Sequence, residues 1–142
     1  MSQERYPVLW IGQVAVVTLP AEIDVTNADT VREELLSVLN QGTALLVADL
    51  SKTSFCDSAG VSALVRTFRQ AATSESSMRL VASTPAVQRV LSITGVDRLV
   101  DTYPSVAASL AGQPGQGDQG GQGDQGRPDN ATAKADTDGG GV

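Results

Sequence analysis

Apolar positions change period several times along the chain. In Val8–Leu19, "VLWIGQVAVVTL", two short β-branched runs flank Ile11-Gly12-Gln13, which predicts a β-hairpin. The next stretch, "DVTNADTVREELLSVLNQG", sets Val31, Leu35, Val38 and Leu39 on one face of a helix, with Thr26 or Asn27 as the cap and Gly42 as the stop. Ala44–Leu50, "ALLVADL", is almost unbroken in its apolar character and predicts a central strand covered by helices on both faces. After Ser58 the three- and four-residue spacing of Val61, Leu64, Val65 and Phe68 predicts a second helix, followed by a short strand over Arg79–Ala82. Ser83 and Thr84 supply capping side chains and Pro85 suits a first helical turn; Val87, Val90 and Leu91 then face inward and Gly95 ends the helix. The segment "RLVDTYPSVAASLA" predicts a short strand or extended piece, a turn at Tyr103-Pro104 and a terminal helix.

A hairpin is antiparallel, whereas strands joined through helices are parallel. The pattern therefore predicts an α/β domain with a mixed sheet of four to five strands flanked by helices.

This alternation stops near Ala111. The remaining "GQPGQGDQGGQGDQGRPDNATAKADTDGGGV" holds ten of the fourteen glycines and no Leu, Ile, Phe or Met. Such a segment cannot bury enough apolar surface to offset an ordering cost of ~1–2 kcal/mol per residue, so a disordered tail is expected over residues 112–142, after a domain at 6–111. The tandem "GQGDQG" hexapeptides from Gly115 and Gly121 are low-complexity duplication; their "GGQGD" step lacks the apolar position of a calcium-binding repeat.

Apolar residues make up 41% of the 142-residue chain, but aromatic residues only 4%, so the core must rest on Val, Leu, Ile and Ala. A formal net charge of -6 with scattered arginines lacks the electrostatic footprint of a duplex-binding protein, and direct nucleic-acid binding is not expected. No apolar run approaches the roughly 20 residues that span a bilayer, and "MSQERYPVLW" lacks a signal-peptide core; no membrane partner and a cytoplasmic location are expected. The lone Cys56 stands in an apolar strand-like run, where a small buried thiol is the expectation. Histidine is absent, which rules out Ser-His-Asp and Cys-His sites within the chain and removes the commonest transition-metal ligand. There is no GxxxxGK phosphate loop. No catalytic residue, metal or cofactor is expected.

Chemistry concentrates in "FCDSAGVSALVRTF", Phe55–Phe68. Ser58 follows a buried strand and a loop and opens a helix, at the kind of sheet edge where exposed loops on a rigid scaffold gather binding sites. Ala59 and Gly60 are small enough for another molecule to approach, and the helix's first N–H groups with its dipole would favour a phosphate. Phosphorylation would add about -1.5 to -2 charges there without unfolding the helix. Against this stands simple capping by Ser58 or Asp57, worth ~1 kcal/mol. A serine enzyme is the remaining alternative, but "CDSAG" lacks the first glycine of GxSxG, and Lys52 is the one candidate base nearby.

Taken together, "LLVADLSKTSFCDSAGVSALVRTFRQA" resembles the central motif of STAS domains of the bacterial anti-sigma factor antagonist family, through Asp49, Ser51, Phe55, Asp57, Ser58, Gly60 and Leu64. Upstream, "AEIDVTNADTVREEL" resembles the family's Gly-Glu-Ile-Asp segment, with Asp24 on the motif aspartate and Ala21 in place of the glycine; downstream, "VQRVLSITGVDRLV" resembles its penultimate helix and following strand. The resemblance covers nearly all of Tyr6–Leu110. It implies a non-enzymatic partner switch: the unphosphorylated form binds a kinase-type anti-sigma factor and releases the sigma factor, and phosphorylation of Ser58 by that protein serine kinase ends the binding. It further implies a partner surface of Asp24, Ser51, Lys52, Thr53, Ser54, Asp57, Ser58, Ala59 and Gly60, and a serine phosphatase to reset the switch. A STAS scaffold or accessory subunit of a signalling or transport complex, without a phosphoswitch, is the competing expectation.

Overall fold

The computed structural model describes residues 6–112. The chain divides into a unit ending at Ser109 and a second beginning at Leu110. The tail expected over residues 112–142, with its hexapeptide duplication, lies outside the described residues except for Gly112.

The hairpin forms as the sequence predicts, β1 (Val8–Ile11) pairing antiparallel with β2 (Val14–Thr18) through a Gly12-Gln13 turn. Gly12 takes φ +61°, a left-handed conformation that glycine adopts at no steric cost. A two-residue strand β3 (Glu22–Ile23) and α1 (Ala28–Leu39) lead to β4 (Leu45–Asp49); β5 (Phe55–Cys56) and α2 (Ser58–Thr73) lead to β6 (Ser77–Val81). The chain continues through α3 (Pro85–Thr94), α4 (Val96–Leu99), β7 (Asp101–Tyr103) and α5 (Val106–Ala111). The main sheet is ordered β1-β2-β4-β6-β7, parallel from β2 onward, and β3 and β5 form a separate parallel pair.

Strand alternation sorts the core. Ala15 and Val17, Leu46 and Ala48, Met78 and Leu80 join Val31, Leu35 and Val38 of α1, Leu64 and Ala71 of α2, and Val87 and Leu91 of α3 in one large cluster. The opposite face of the sheet carries a small cluster of Val16, Val47 and Val81, with Val14, Leu45 and Val106 packed against it. Helices flank the sheet as expected, but unequally: α1, α2 and α3 pack on one face, and α5 contributes Val106 on the other. Arg79 also belongs to that second face. It is 4% exposed, donates to the Ser109 carbonyl and lies 5.5 Å from the centroid of the Tyr103 ring, so its charge is hydrogen-bonded rather than abandoned in the interior.

Ser83 and Thr84 do not cap α3 with their side chains. Thr84 holds the N-cap position but makes no side-chain cap bond. Its hydroxyl donates instead to the Thr53 carbonyl at 3.0 Å, and that of Ser83 to the Ser51 carbonyl at 3.2 Å, so both side chains fasten the loop after β4.

Candidate functional site

The site is assembled where β4 hands over to α2. Beyond Asp49 the chain turns at Ser51, whose N–H donates to the Asp49 carboxylate at 2.9 Å. Thr53 is fully buried, and its hydroxyl donates to the Pro20 carbonyl at 2.8 Å. It ties the loop to the end of β2 and offers no side chain to solvent, whereas Lys52 and Ser54 are exposed. Pairing of Glu22 with Phe55 and Ile23 with Cys56 then brings the two motif segments side by side, and the Asp57 N–H donates to the Ile23 carbonyl at 3.1 Å. That short ladder brings the segment of Asp24 alongside Asp57, the residue before α2.

Which residue caps α2 is settled by geometry. Asp57 is extended at φ -95°, ψ -170°, and its carboxylate accepts from the N–H groups of Ala59 at 3.0 Å and Gly60 at 3.2 Å. Ser58 is the first helical residue; it is exposed, and its hydroxyl makes no hydrogen bond among the described residues. The first-turn N–H groups that could have seated a phosphate are therefore already engaged by Asp57. A phosphate on Ser58 would stand outward beside a carboxylate. Division of labour between these neighbours predicts that Asp57→Ala lowers stability by about 1 kcal/mol, while Ser58→Ala stays within about 0.5 kcal/mol of the parent. Urea unfolding checks this; a larger loss in Ser58→Ala than in Asp57→Ala would contradict the capping assignment.

Gly60 lets the first turn of α2 approach the β3–β5 pair. A Cβ there would lie 2.6 Å from Cys56 Sγ and 2.8 Å from Ile23 Cγ2. Cys56 is buried as the sequence predicts, and burial, with Asp57 adding to it, pushes its thiol up to about 11. At neutral pH it is a protonated packing residue rather than a thiolate. Gly60, itself buried, contributes close packing and a backbone N–H.

Asp24 organises the turn into α1. Its carboxylate accepts from both the N–H and the hydroxyl of Thr26, and these bonds hold its pKa below the usual carboxylate value. Asn27 occupies the N-cap of α1 without a side-chain cap bond. It accepts from the Asp24 N–H at 2.9 Å and donates to the Glu22 carbonyl at 2.8 Å, so neither Thr26 nor Asn27 caps in the manner expected. This network presents Val25 at 77% exposure, and the paired strand presents Phe55 at 49%. Neither was singled out from the sequence as a contact residue. The available signal was Val25 itself, an apolar β-branched residue among the polar residues of "DVTN", ahead of the helical period. Among the described residues no group of side chains could hold a metal ion, and no helix is long and apolar enough to cross a membrane.

The geometry has counterparts in known proteins. Residues 7–109 match the STAS domain family model. An anti-sigma-B factor antagonist of Bacillus subtilis (strain 168) is 32% identical over 85 residues, which cover 60% of this chain and 77% of the relative. The crystal structure of an anti-sigma factor antagonist from Mycobacterium paratuberculosis superposes with a TM-score of 0.68 at 28% identity, covering 74% of this chain and 89% of that one. An anti-sigma-factor antagonist (STAS) domain protein from Planctomyces limnophilus shares the fold, with a TM-score of 0.67 at 20% identity over 77% of this chain and 97% of that one. With its mixed sheet, its helix-capping aspartate and the exposed serine behind it, the chain belongs to the STAS domain family.

Proposed function

We propose that the protein is an anti-sigma factor antagonist whose unphosphorylated form binds a kinase-type anti-sigma factor and releases the sigma factor, and that a phosphate on Ser58 ends this binding. The observation that carries the proposal is the division between Asp57 and Ser58: the aspartate closes the helix, so the serine hydroxyl is exposed and has no structural bond to give up. The names of the similar proteins from Bacillus subtilis and Mycobacterium paratuberculosis support the antagonist part of this reading.

The motif segments that carry that hydroxyl also expose two apolar side chains, Val25 and Phe55, and the polar side chains of Lys52 and Ser54, with Asp24 and Asp57 part-buried. An exposed apolar centre inside a polar rim suits a docking surface. Phosphorylation would place about -1.5 to -2 charges in its midst, beside Asp57, whose carboxylate already uses two first-turn N–H groups. Docking would then have to desolvate a dianion beside a carboxylate, with the Ala59 and Gly60 N–H groups already engaged, which opposes association while leaving the fold intact. The kinase and a resetting serine phosphatase are separate proteins in this scheme, and this chain acts by binding alone.

Reconstitution tests the forward reaction. Unphosphorylated protein added to a preformed complex of a kinase-type anti-sigma factor and its sigma factor, both from the same organism, should displace the sigma factor on size-exclusion chromatography. Persistence of the intact complex at saturating antagonist, for every such anti-sigma factor of the organism, would contradict the proposal.

A further inference from the structure

A groove of about 180 Å³ runs between the first turns of α1 and α2, immediately beside the Ser58 edge. Val25 and Ala59, the residue after Ser58, line it together with Ser62, and Arg32 and Arg66 line it from the two helices. Its charge is unusual for this molecule. The chain carries a formal net charge of -6, yet this groove gathers two guanidinium groups with Asp29 as the one carboxylate lining it. Asp29 is spoken for: it pairs with Arg32 at 3.5 Å, and its side chain is 88% exposed. Arg66 is exposed and makes no hydrogen bond or ion pair among the described residues, and the Ser62 hydroxyl is likewise unbonded. Ser58, Ser62 and Arg66 follow one another at four-residue intervals, so they form a single stripe along α2.

We propose that this groove is a second anchor point of the antagonist, taking an acidic side chain of the anti-sigma factor between Arg32 and Arg66 while Val25 packs against an apolar neighbour of that residue. The inference rests on the function proposed above and adds the chemistry of the partner. Charge complementarity selects the occupant: two guanidinium groups lining one groove, one of them without a counter-ion among the described residues, suit a carboxylate, and the Ser62 hydroxyl in the same lining can donate to it. The stripe also connects the anchor to the switch. Ser58 lies about 12 Å from Arg66 along the helix axis, so a phosphate there would repel an acidic side chain docked at Arg66 weakly, at low salt, in addition to its own desolvation cost.

The test is equilibrium binding of the purified kinase-type anti-sigma factor to unphosphorylated wild type, Arg66→Glu and Arg66→Gln across a salt series, with Arg89→Glu on α3 as a control outside the groove. Charge reversal at Arg66 should raise Kd about tenfold or more, Arg66→Gln should raise it less, and both should flatten the salt dependence. Arg89→Glu should bind within about twofold of wild type, and all variants should keep the wild-type unfolding midpoint because these arginines are exposed. Wild-type affinity and salt dependence in both Arg66 variants would overturn the groove assignment while leaving the antagonist function standing. Equal losses in Arg66→Glu and Arg89→Glu would also overturn it, since a general field effect would then suffice. Absence of binding by the wild type to any kinase-type anti-sigma factor of the organism would overturn both proposals.

Discussion

Ser58→Asp is expected to weaken binding to the anti-sigma factor by about 100-fold, roughly 2.7 kcal/mol, with no loss of thermal stability. The two parts have separate causes. Stability is preserved because Ser58 is exposed at the first helical position and holds nothing in place; a negative charge there also suits the helix dipole, by about 0.3–1 kcal/mol. Binding falls because the new carboxylate would sit beside the Asp57 carboxylate, which already takes the Ala59 and Gly60 N–H groups, and would have to be desolvated on docking. A phosphate carries more charge than aspartate and should weaken binding further. Calorimetric titration alongside a thermal melt separates the effects. A variant that loses its folding transition would show that the switch acts by unfolding the domain, contrary to the local mechanism.

Gly60→Val should be the most damaging small substitution near the site, at about 3 kcal/mol or more. Its Cβ alone would come within 2.6 Å of Cys56 Sγ and 2.8 Å of Ile23 Cγ2, and two further methyl groups would have to enter the same contact. Both neighbours are buried, and Ile23 belongs to the β3–β5 pair that sets Asp24 beside Asp57, so neither can swing away into solvent. Set against a typical domain stability of about 5–15 kcal/mol, the loss should appear as a large fall in the urea midpoint. Adding Cys56→Ala removes the closest contact but not the one with Ile23, so the double variant should recover only part of the loss. A midpoint equal to wild type in Gly60→Val would show that the first turn of α2 is not held against the strand pair as described.

Much of this architecture is legible in the sequence because its signals are local and periodic. "ALLVADL" is the central strand β4, and the helical spacing after Ser58 is α2. What escaped detection lacks a local signal. The strands β3 and β5 are two residues each, too short to show an alternation, yet they bring the two halves of the site together. The α4 turn lies directly after Gly95, and Arg98 and Leu99, expected to begin the final strand, fall within it. Arg79 opens the expected short strand, but its burial has no local signal, because its carbonyl partner, Ser109, lies 30 residues further on.

The site shows the same limit. Asp57 and Ser58 are both good caps and adjacent, so composition cannot choose between them; the extended backbone at Asp57, set by its bond to Ile23, makes the choice. Thr84 and Ser83 carry a clear capping signature, yet their hydroxyls serve carbonyls more than 30 residues away in sequence. The sequence pointed to the right stretch of chain. Pairing across the fold determined which side chain in it is free.

Incubation with the cognate kinase-type anti-sigma factor and ATP, followed by intact mass measurement and site localisation, tests the phosphoswitch most directly. Wild-type protein should gain a single phosphate, on Ser58, and Ser58→Ala should gain none. Labelling that persists in Ser58→Ala, or that maps to another residue, would contradict the account.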